Sequence, residues 1–119
     1  MIVDDAVTIV EKLTEILSGT VIPLLILHTG SFEETLPVLA QMQPDIVILD
    51  INLPGKHGID VLKFLKIHYP GIKVIMNTNQ SGDYYRGICR SMGCDCFLDK
   101  SFDFELLPPI IVQLYNNIK

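Results

Sequence analysis

Short apolar runs alternate five times with stretches of helical period, and this alternation constrains the fold more than any other feature of the chain. Ile2-Val3 opens a very short first strand that reaches Asp4-Asp5 at once. From Ala6 to Leu17, apolar residues recur at Val7, Ile9, Val10, Leu13, Ile16 and Leu17, a helical spacing stopped by Ser18-Gly19. Val21 to Leu27 reads as the second strand. Ser31 with Glu34 three residues later has the form of a capping box and starts a helix that runs to about Met42. Pro37 inside that helix predicts a bend or an irregular first turn. Asp45 to Leu49 reads as the third strand, Lys73 to Met76 as the fourth and Cys94 to Leu98 as the fifth. A helix starts at His57 or Gly58 and ends at Pro70-Gly71, and another covers Gly82 to Met92 and is closed by Gly93. Pro108-Pro109 cannot lie deep inside the last helix, so a separate turn over Asp103–Leu107 is expected, with the helix running from Pro108 to about Asn117.

Strand and helix in strict alternation imply right-handed βαβ units, hence an α/β fold with a parallel sheet and helices on both faces. For five strands the natural solution is the flavodoxin-like (βα)5 order 2-1-3-4-5, as a single domain over residues 1–119. The hydrophobic content of 49% and the mean hydropathy of +0.38 supply enough apolar material for several fully buried strands. A formal net charge of -5, with no block of Lys or Arg, argues against direct nucleic-acid binding. The run from Val21 to Leu27 is too short to cross a membrane, and the acidic N-terminus lacks the basic region of a signal peptide, so the cytoplasm is the expected location. Cys89, Cys94 and Cys96 are odd in number and lack zinc-like spacing, so they read as small buried thiols; Cys94 and Cys96, two apart, are expected on one face of the fifth strand.

The polar strand ends carry the chemistry. In this topology the switch point lies between strands one and three, which end in Asp4-Asp5 and in Asp50. Asp50 follows the apolar run Ile46-Val47-Ile48-Leu49 and precedes the turn at Pro54-Gly55. Strand four ends in Asn77-Thr78-Asn79 and strand five in Asp99-Lys100-Ser101, at the same rim. Three carboxylates close together resist ionising unless a cation joins them, and Mg²⁺ with one or two carboxylates and several waters suits that set. With a lysine and a hydroxyl alongside, these are the parts needed for phosphoryl transfer to a carboxylate.

This set, in this order, resembles the receiver domain of two-component response regulators over essentially the whole chain. The residues that carry the resemblance are Asp4-Asp5, the stretch from Asp45 through Asp50 to Gly55 with Gly58, then Thr78, and Phe97-Leu98-Asp99-Lys100-Ser101. The resemblance implies a phosphorelay role, with Asp50 accepting a phosphoryl group from a histidine kinase or a phosphotransfer protein. It implies that Asp5 and Asp50 bind Mg²⁺ directly, that Asp4 does so mainly through water, and that Asn52 contributes its backbone carbonyl. Thr78 and Lys100 are implied to hold phosphoryl oxygens, and Thr78 and Phe97 to form the switch. The chain is thus expected to be no enzyme beyond Mg²⁺-dependent self-phosphorylation and autodephosphorylation. It departs from the family pattern at Ser101, where proline is usual and the peptide often cis, at Asn79 and Cys94, which replace small residues, and in its short first strand.

Blander and rival readings exist for each part. Asp4 or Asp5 could cap the first helix, and one of them could serve as cap and ligand together. Thr78 could simply cap the fourth helix, Lys100 could be a solvated charge, and Phe97 could be plain core. His57 reads as an exposed loop histidine, because Mg²⁺ prefers oxygen. An aspartate-nucleophile phosphatase would want a second carboxylate where Asn52 stands. A flavin-binding module would want a phosphate-cradling loop after the first strand. A receiver-like adaptor that never uses phosphate is the alternative function. The apolar stripe Ile110, Ile111, Leu114 and Ile118, with Val112 and Tyr115 off it, suggests a homodimer or target surface through the fourth and fifth helices. No output segment follows Lys119, so the chain is expected to be a stand-alone receiver or a piece of a larger regulator.

Overall fold

The computed structural model describes residues 1–79, 82–100 and 103–118. Five parallel strands form one sheet in the order β2-β1-β3-β4-β5. The strands are β1 (Ile2–Val3), β2 (His28–Thr29), β3 (Ile46–Leu49), β4 (Lys73–Thr78) and β5 (Cys96–Asp99). The helices are α1 (Val7–Ser18), α2 (Phe32–Gln41), α3 (Gly58–His68), α4 (Asp83–Ser91) and α5 (Leu107–Ile118), with a short 3-10 turn over Phe104–Leu106.

Period-two alternation divides the sheet's side chains between two cores. Val47 and Leu49 of β3, with Val74 and Met76 of β4, meet Leu39 of α2, Val61, Leu62 and Leu65 of α3 and Cys89 of α4. Ile48 and Ile75 point the other way, onto Leu13 and Leu17 of α1 and Leu107 and Ile111 of α5. The central strands are therefore covered on both faces, as a parallel sheet requires.

The second strand is a correction. Val21–Leu27 does not form it; β2 is His28–Thr29, and Val21 and Leu25 are 90% and 73% exposed. An edge strand pairs only along the length of its neighbour, and β1 offers Ile2 and Val3, which register with His28 and Thr29. Pairing begins where the Ile2 N–H donates to the Leu27 carbonyl at 2.8 Å, and Pro23, which has no N–H, lies upstream of it.

The cysteines also differ from expectation. Cys94 precedes β5 and packs with the α2–α4 core, whereas Cys96 lies within β5 and packs with the α1–α5 core, so the two do not share a face. Cys89 is buried and the other two are half-buried. Burial pushes all three thiols up, Cys94 to about 11 with help from neighbouring negative charge.

Local signals hold elsewhere. Ser31 caps α2 by accepting from the Glu34 N–H at 3.2 Å, while the Glu34 carboxylate accepts from the Gly30 N–H at 2.8 Å. Helix α2 continues through Pro37, its sixth residue. The stripe on α5 is largely inward-facing: Ile111 is buried, Ile110 and Leu114 pack on the core, and Ile118 is exposed. Ser101 lies outside the described residues.

Candidate functional site

Strand ends β1, β3, β4 and β5 converge on one rim because the strands are parallel and in register. The β1–β3 pairing sets Val3 beside Leu49, so Asp4 and Asp50 leave the sheet side by side. The Asp50 N–H donates to the Val3 carbonyl at 3.1 Å and fixes that register. Asp4 and Asp50 are buried, Asp5 is exposed, and one carboxylate oxygen from each lies within 4.8 Å of the others.

Lys100 reaches back from the end of β5 into this cluster. Its Nζ lies 2.6 Å from Asp4 Oδ2 and 2.9 Å from Asp50 Oδ2, and the side chain is buried. Burial pulls the ammonium down, but hydrogen bonds and charge from Asp4 and Asp50 outweigh it, so Lys100 is held above its ordinary value and stays cationic. Asp4 uses its other oxygen to accept the Ala6 N–H at 2.9 Å, just ahead of α1. The cap position of α1 is Ala6, which carries no capping side chain, so neither Asp4 nor Asp5 caps the helix; Asp4 ties down the residue before it and belongs to the cluster.

Asp50 differs from Asp4 in one respect. Its Oδ2 is held by Lys100, while Oδ1 is buried with no hydrogen-bonding partner among the described residues. Burying a charged oxygen in that way is costly unless something outside the protein satisfies it. Among the described residues, three carboxylates against one ammonium give the cluster a formal surplus of two negative charges. An all-oxygen donor set with that surplus fits a hard divalent cation.

Thr78 is fully buried at the end of β4, in register with Asp99, and its carbonyl accepts the Lys100 N–H at 3.1 Å. Asn52 is exposed on the loop after Asp50, and Asn79 is exposed after Thr78. Phe97 is half-buried and faces the α2–α4 core. His57 stands apart from the carboxylates and caps α3, with Nδ1 accepting the Ile59 N–H at 3.2 Å.

Two residues take on importance that the sequence does not explain. Gly58 packs so tightly that a Cβ would lie 2.1 Å from the Asp50 carbonyl oxygen, and its N–H donates to the Ile51 carbonyl at 2.6 Å. A glycine opening a helix was the visible signal, but the close approach is tertiary. Arg86 of α4 lies over the Phe97 ring, a contact between residues eleven apart that no local pattern announces. The loop itself turns at Gly55, whose φ of +81° suits glycine. A cavity of about 340 Å³ lined by Leu17, Ile22, Ile46 and Tyr115 lies at the opposite end of the sheet and takes no part in this cluster.

The family model of the response regulator receiver domain matches residues 1–111, and the chain belongs to that family. Such domains are the signalling modules of two-component systems. The DNA-binding response regulator MtrA of Mycolicibacterium smegmatis is 30% identical over 118 residues, 98% of this chain and 50% of MtrA. The chain thus spans about half the length of that relative. Among solved structures, the signal receiver domain of an HD domain-containing protein from Pseudomonas fluorescens superposes with a TM-score of 0.88 at 23% identity, covering 98% of this chain and 93% of that one. The Mn²⁺-bound form of response regulator Rcp1 gives a TM-score of 0.80 at 21% identity, covering 95% and 88%. At these identities the structures bear on the fold alone. No helix among the described residues is long and apolar enough to cross a membrane.

Proposed function

We propose that residues 1–119 form one receiver unit that takes up a phosphoryl group on Asp50 from a phosphohistidine of a sensor kinase or a phosphotransfer protein. The observation that carries this reading is the asymmetry of the Asp50 carboxylate, with Oδ2 held by Lys100 and Oδ1 buried with no partner among the described residues. A carboxylate oxygen of Asp50 forms the new O–P bond as the P–N bond to the donor imidazole breaks. The electron pair returns to the imidazole nitrogen, which takes up a proton. Lys100 and Thr78 then hold phosphoryl oxygens, and Thr78 with Phe97 forms the switch.

Asp5 and Asp50 would hold Mg²⁺ directly, with Asp4 acting through water and Asn52 through its backbone carbonyl. Bound there, Mg²⁺ supplies positive charge against the carboxylates and against the transferred phosphoryl oxygens. The donor set supports this, because it is all oxygen and carries surplus negative charge. No separate substrate is turned over in this reading; the chemistry is self-phosphorylation and autodephosphorylation in the cytoplasm. The net charge of -5 supports signalling through protein partners rather than nucleic-acid contact by this unit, and α4 and α5 are the surfaces we assign to a second copy or a target.

The test is incubation with Mg²⁺ and a small phosphodonor, followed by intact-mass measurement and peptide mapping. One phosphoryl group on Asp50 is expected, absent without Mg²⁺ and absent in Asp50→Asn. No label with any donor would sink the phosphoacceptor reading and favour a phosphate-independent adaptor.

A further inference from the structure

Asp4 and Asp5 are neighbours in sequence but are held in different ways. Each polar atom of Asp4 has a partner. Its N–H donates to the Thr29 carbonyl at 3.1 Å, Oδ1 accepts the Ala6 N–H at 2.9 Å, and Oδ2 lies 2.6 Å from Lys100 Nζ. Its carbonyl oxygen lies 3.0 Å from His28 Nε2. Asp5 is exposed, and among the described residues no hydrogen bond or ion pair holds its carboxylate. Its place beside Asp50 is therefore inherited from the backbone, through the peptide that joins it to Asp4.

That peptide is where β2 meets the acidic cluster. β1 ends at Val3, so the Asp4 carbonyl lies beyond the strand itself. β2 registers His28 with Ile2, which puts both side chains on one face of the sheet, and from there the imidazole reaches Asp4 two residues on. A carbonyl only accepts, so Nε2 carries the hydrogen. Just after β2, a Cβ on Gly30 would stand 3.8 Å from the Asp5 Cα and 4.0 Å from the Asp4 carbonyl oxygen. The end of the edge strand thus lies against the Asp4–Asp5 peptide.

We propose that His28 is a positioning residue for the divalent cation: by holding the Asp4 carbonyl it fixes the plane of the Asp4–Asp5 peptide and keeps the Asp5 carboxylate turned toward Asp50. This rests on the metal reading above. His28 acts through the backbone carbonyl and not as a ligand. Without its bond the peptide is freer to rotate, and the cation must order Asp5 as it binds. One hydrogen bond from an exposed side chain corresponds to about two- to tenfold in affinity.

The experiment titrates Mn²⁺, read by electron paramagnetic resonance of the free ion, into the wild type, His28→Leu, His28→Gln and Thr29→Val, each shown to be folded by circular dichroism. Glutamine restores a side-chain N–H at similar reach. Thr29→Val removes the 2.7 Å bond between the Thr29 and Thr35 hydroxyls from the same two-residue strand and controls for a merely structural effect. His28→Leu should bind Mn²⁺ about two- to tenfold more weakly and His28→Gln within about twofold of the wild type. Thr29→Val should lower the urea midpoint and leave the affinity unchanged. In the metal-free protein, the ¹³C resonance of the Asp4 carbonyl should move in His28→Leu and return in His28→Gln. Unchanged affinity in His28→Leu, an unmoved carbonyl resonance, or an equal loss of affinity in Thr29→Val would each overturn the proposal while leaving the metal reading intact. If the wild type binds no Mn²⁺, the metal reading has failed and the proposal fails with it.

Discussion

Gly58→Ala is the perturbation whose consequence can be worked most fully from the structure. A Cβ at this position would meet the Asp50 carbonyl oxygen at 2.1 Å, the Ile51 Cα at 2.5 Å and the Asp50 carbonyl carbon at 2.8 Å. All three are backbone atoms, so no rotamer change relieves the clash. Overpacking of this kind costs about 1–3 kcal/mol. Separating the strands of the loop also breaks the 2.6 Å bond from the Gly58 N–H to the Ile51 carbonyl, worth about 1 kcal/mol. Alanine's better helix propensity offsets at most about 1 kcal/mol of this. The net loss is about 1–4 kcal/mol, which for a domain of this size lowers Tm by roughly 3–16 °C. Relieving a 2.1 Å contact requires Asp50 or α3 to retreat by about 1 Å, a misplacement that costs about a hundredfold in a reaction that depends on positioning. Urea and thermal unfolding followed by circular dichroism give the first number, and the rate of labelling by a small phosphodonor gives the second. Gly71→Ala, with nothing within 4 Å, serves as the control and should match the wild type. A Gly58→Ala protein that unfolds at the wild-type midpoint and labels at the wild-type rate would refute the reasoning, because it would mean that the backbone contact does not position Asp50.

Other perturbations address other parts of the molecule. Lys100→Met removes the ammonium between Asp4 and Asp50, so stability should fall without divalent cation and recover steeply as Mg²⁺ is added, as read by Tm against Mg²⁺ concentration. Ser31→Ala removes the oxygen that accepts the Glu34 N–H and should cost about 1 kcal/mol in urea unfolding. Leu65→Ala, at a fully buried position, should cost about 2–5 kcal/mol. The thiols predict a pH effect of definite sign. Cys94 is raised to about 11 by burial, so from about pH 9 upward the unfolded chain loses this proton while the folded chain keeps it. Stability from this group is complete below pH 9 and is lost as pH rises through 11, and Cys94→Ala should flatten that part of the curve. The same shifts predict slow reaction of all three native thiols with a thiol reagent at pH 8, and fast reaction after denaturation.

How much was legible depended on whether the cause was local. Ser31 with Glu34 and the apolar run before Asp50 act within a few residues, and both read correctly from the chain. The strand order also followed, because alternation and handedness leave few topologies. The second strand did not follow. Val21–Leu27 has the composition of a strand, but pairing was decided by the two-residue length of β1, to which an edge strand must conform. Cys94 and Cys96 failed for a related reason: period two holds only inside a strand, and Cys94 is outside it. At the cluster, residue types were readable because several strand ends had to meet at one rim. Which oxygen Lys100 grips, and why residue 58 must be glycine, depend on sub-ångström packing that no spacing encodes.

The distribution of burial also says where a new charge at Asp50 could be felt. Asp50 is flanked by β1 and β4, both central, and its loop is locked to α3 through Gly58; α3 has four buried residues in its interface. Helices α1 and α5 pack into the opposite core and share their apolar faces with Ile48 and Ile75. Moving any of these exposes several aliphatic side chains, at about 25 cal/mol for each Å². Helix α4 contributes Cys89 as its one buried residue, with Tyr85 packed on the same core and Arg86 over the Phe97 ring. Of the five helices, α4 therefore has the fewest buried residues to expose if it moves.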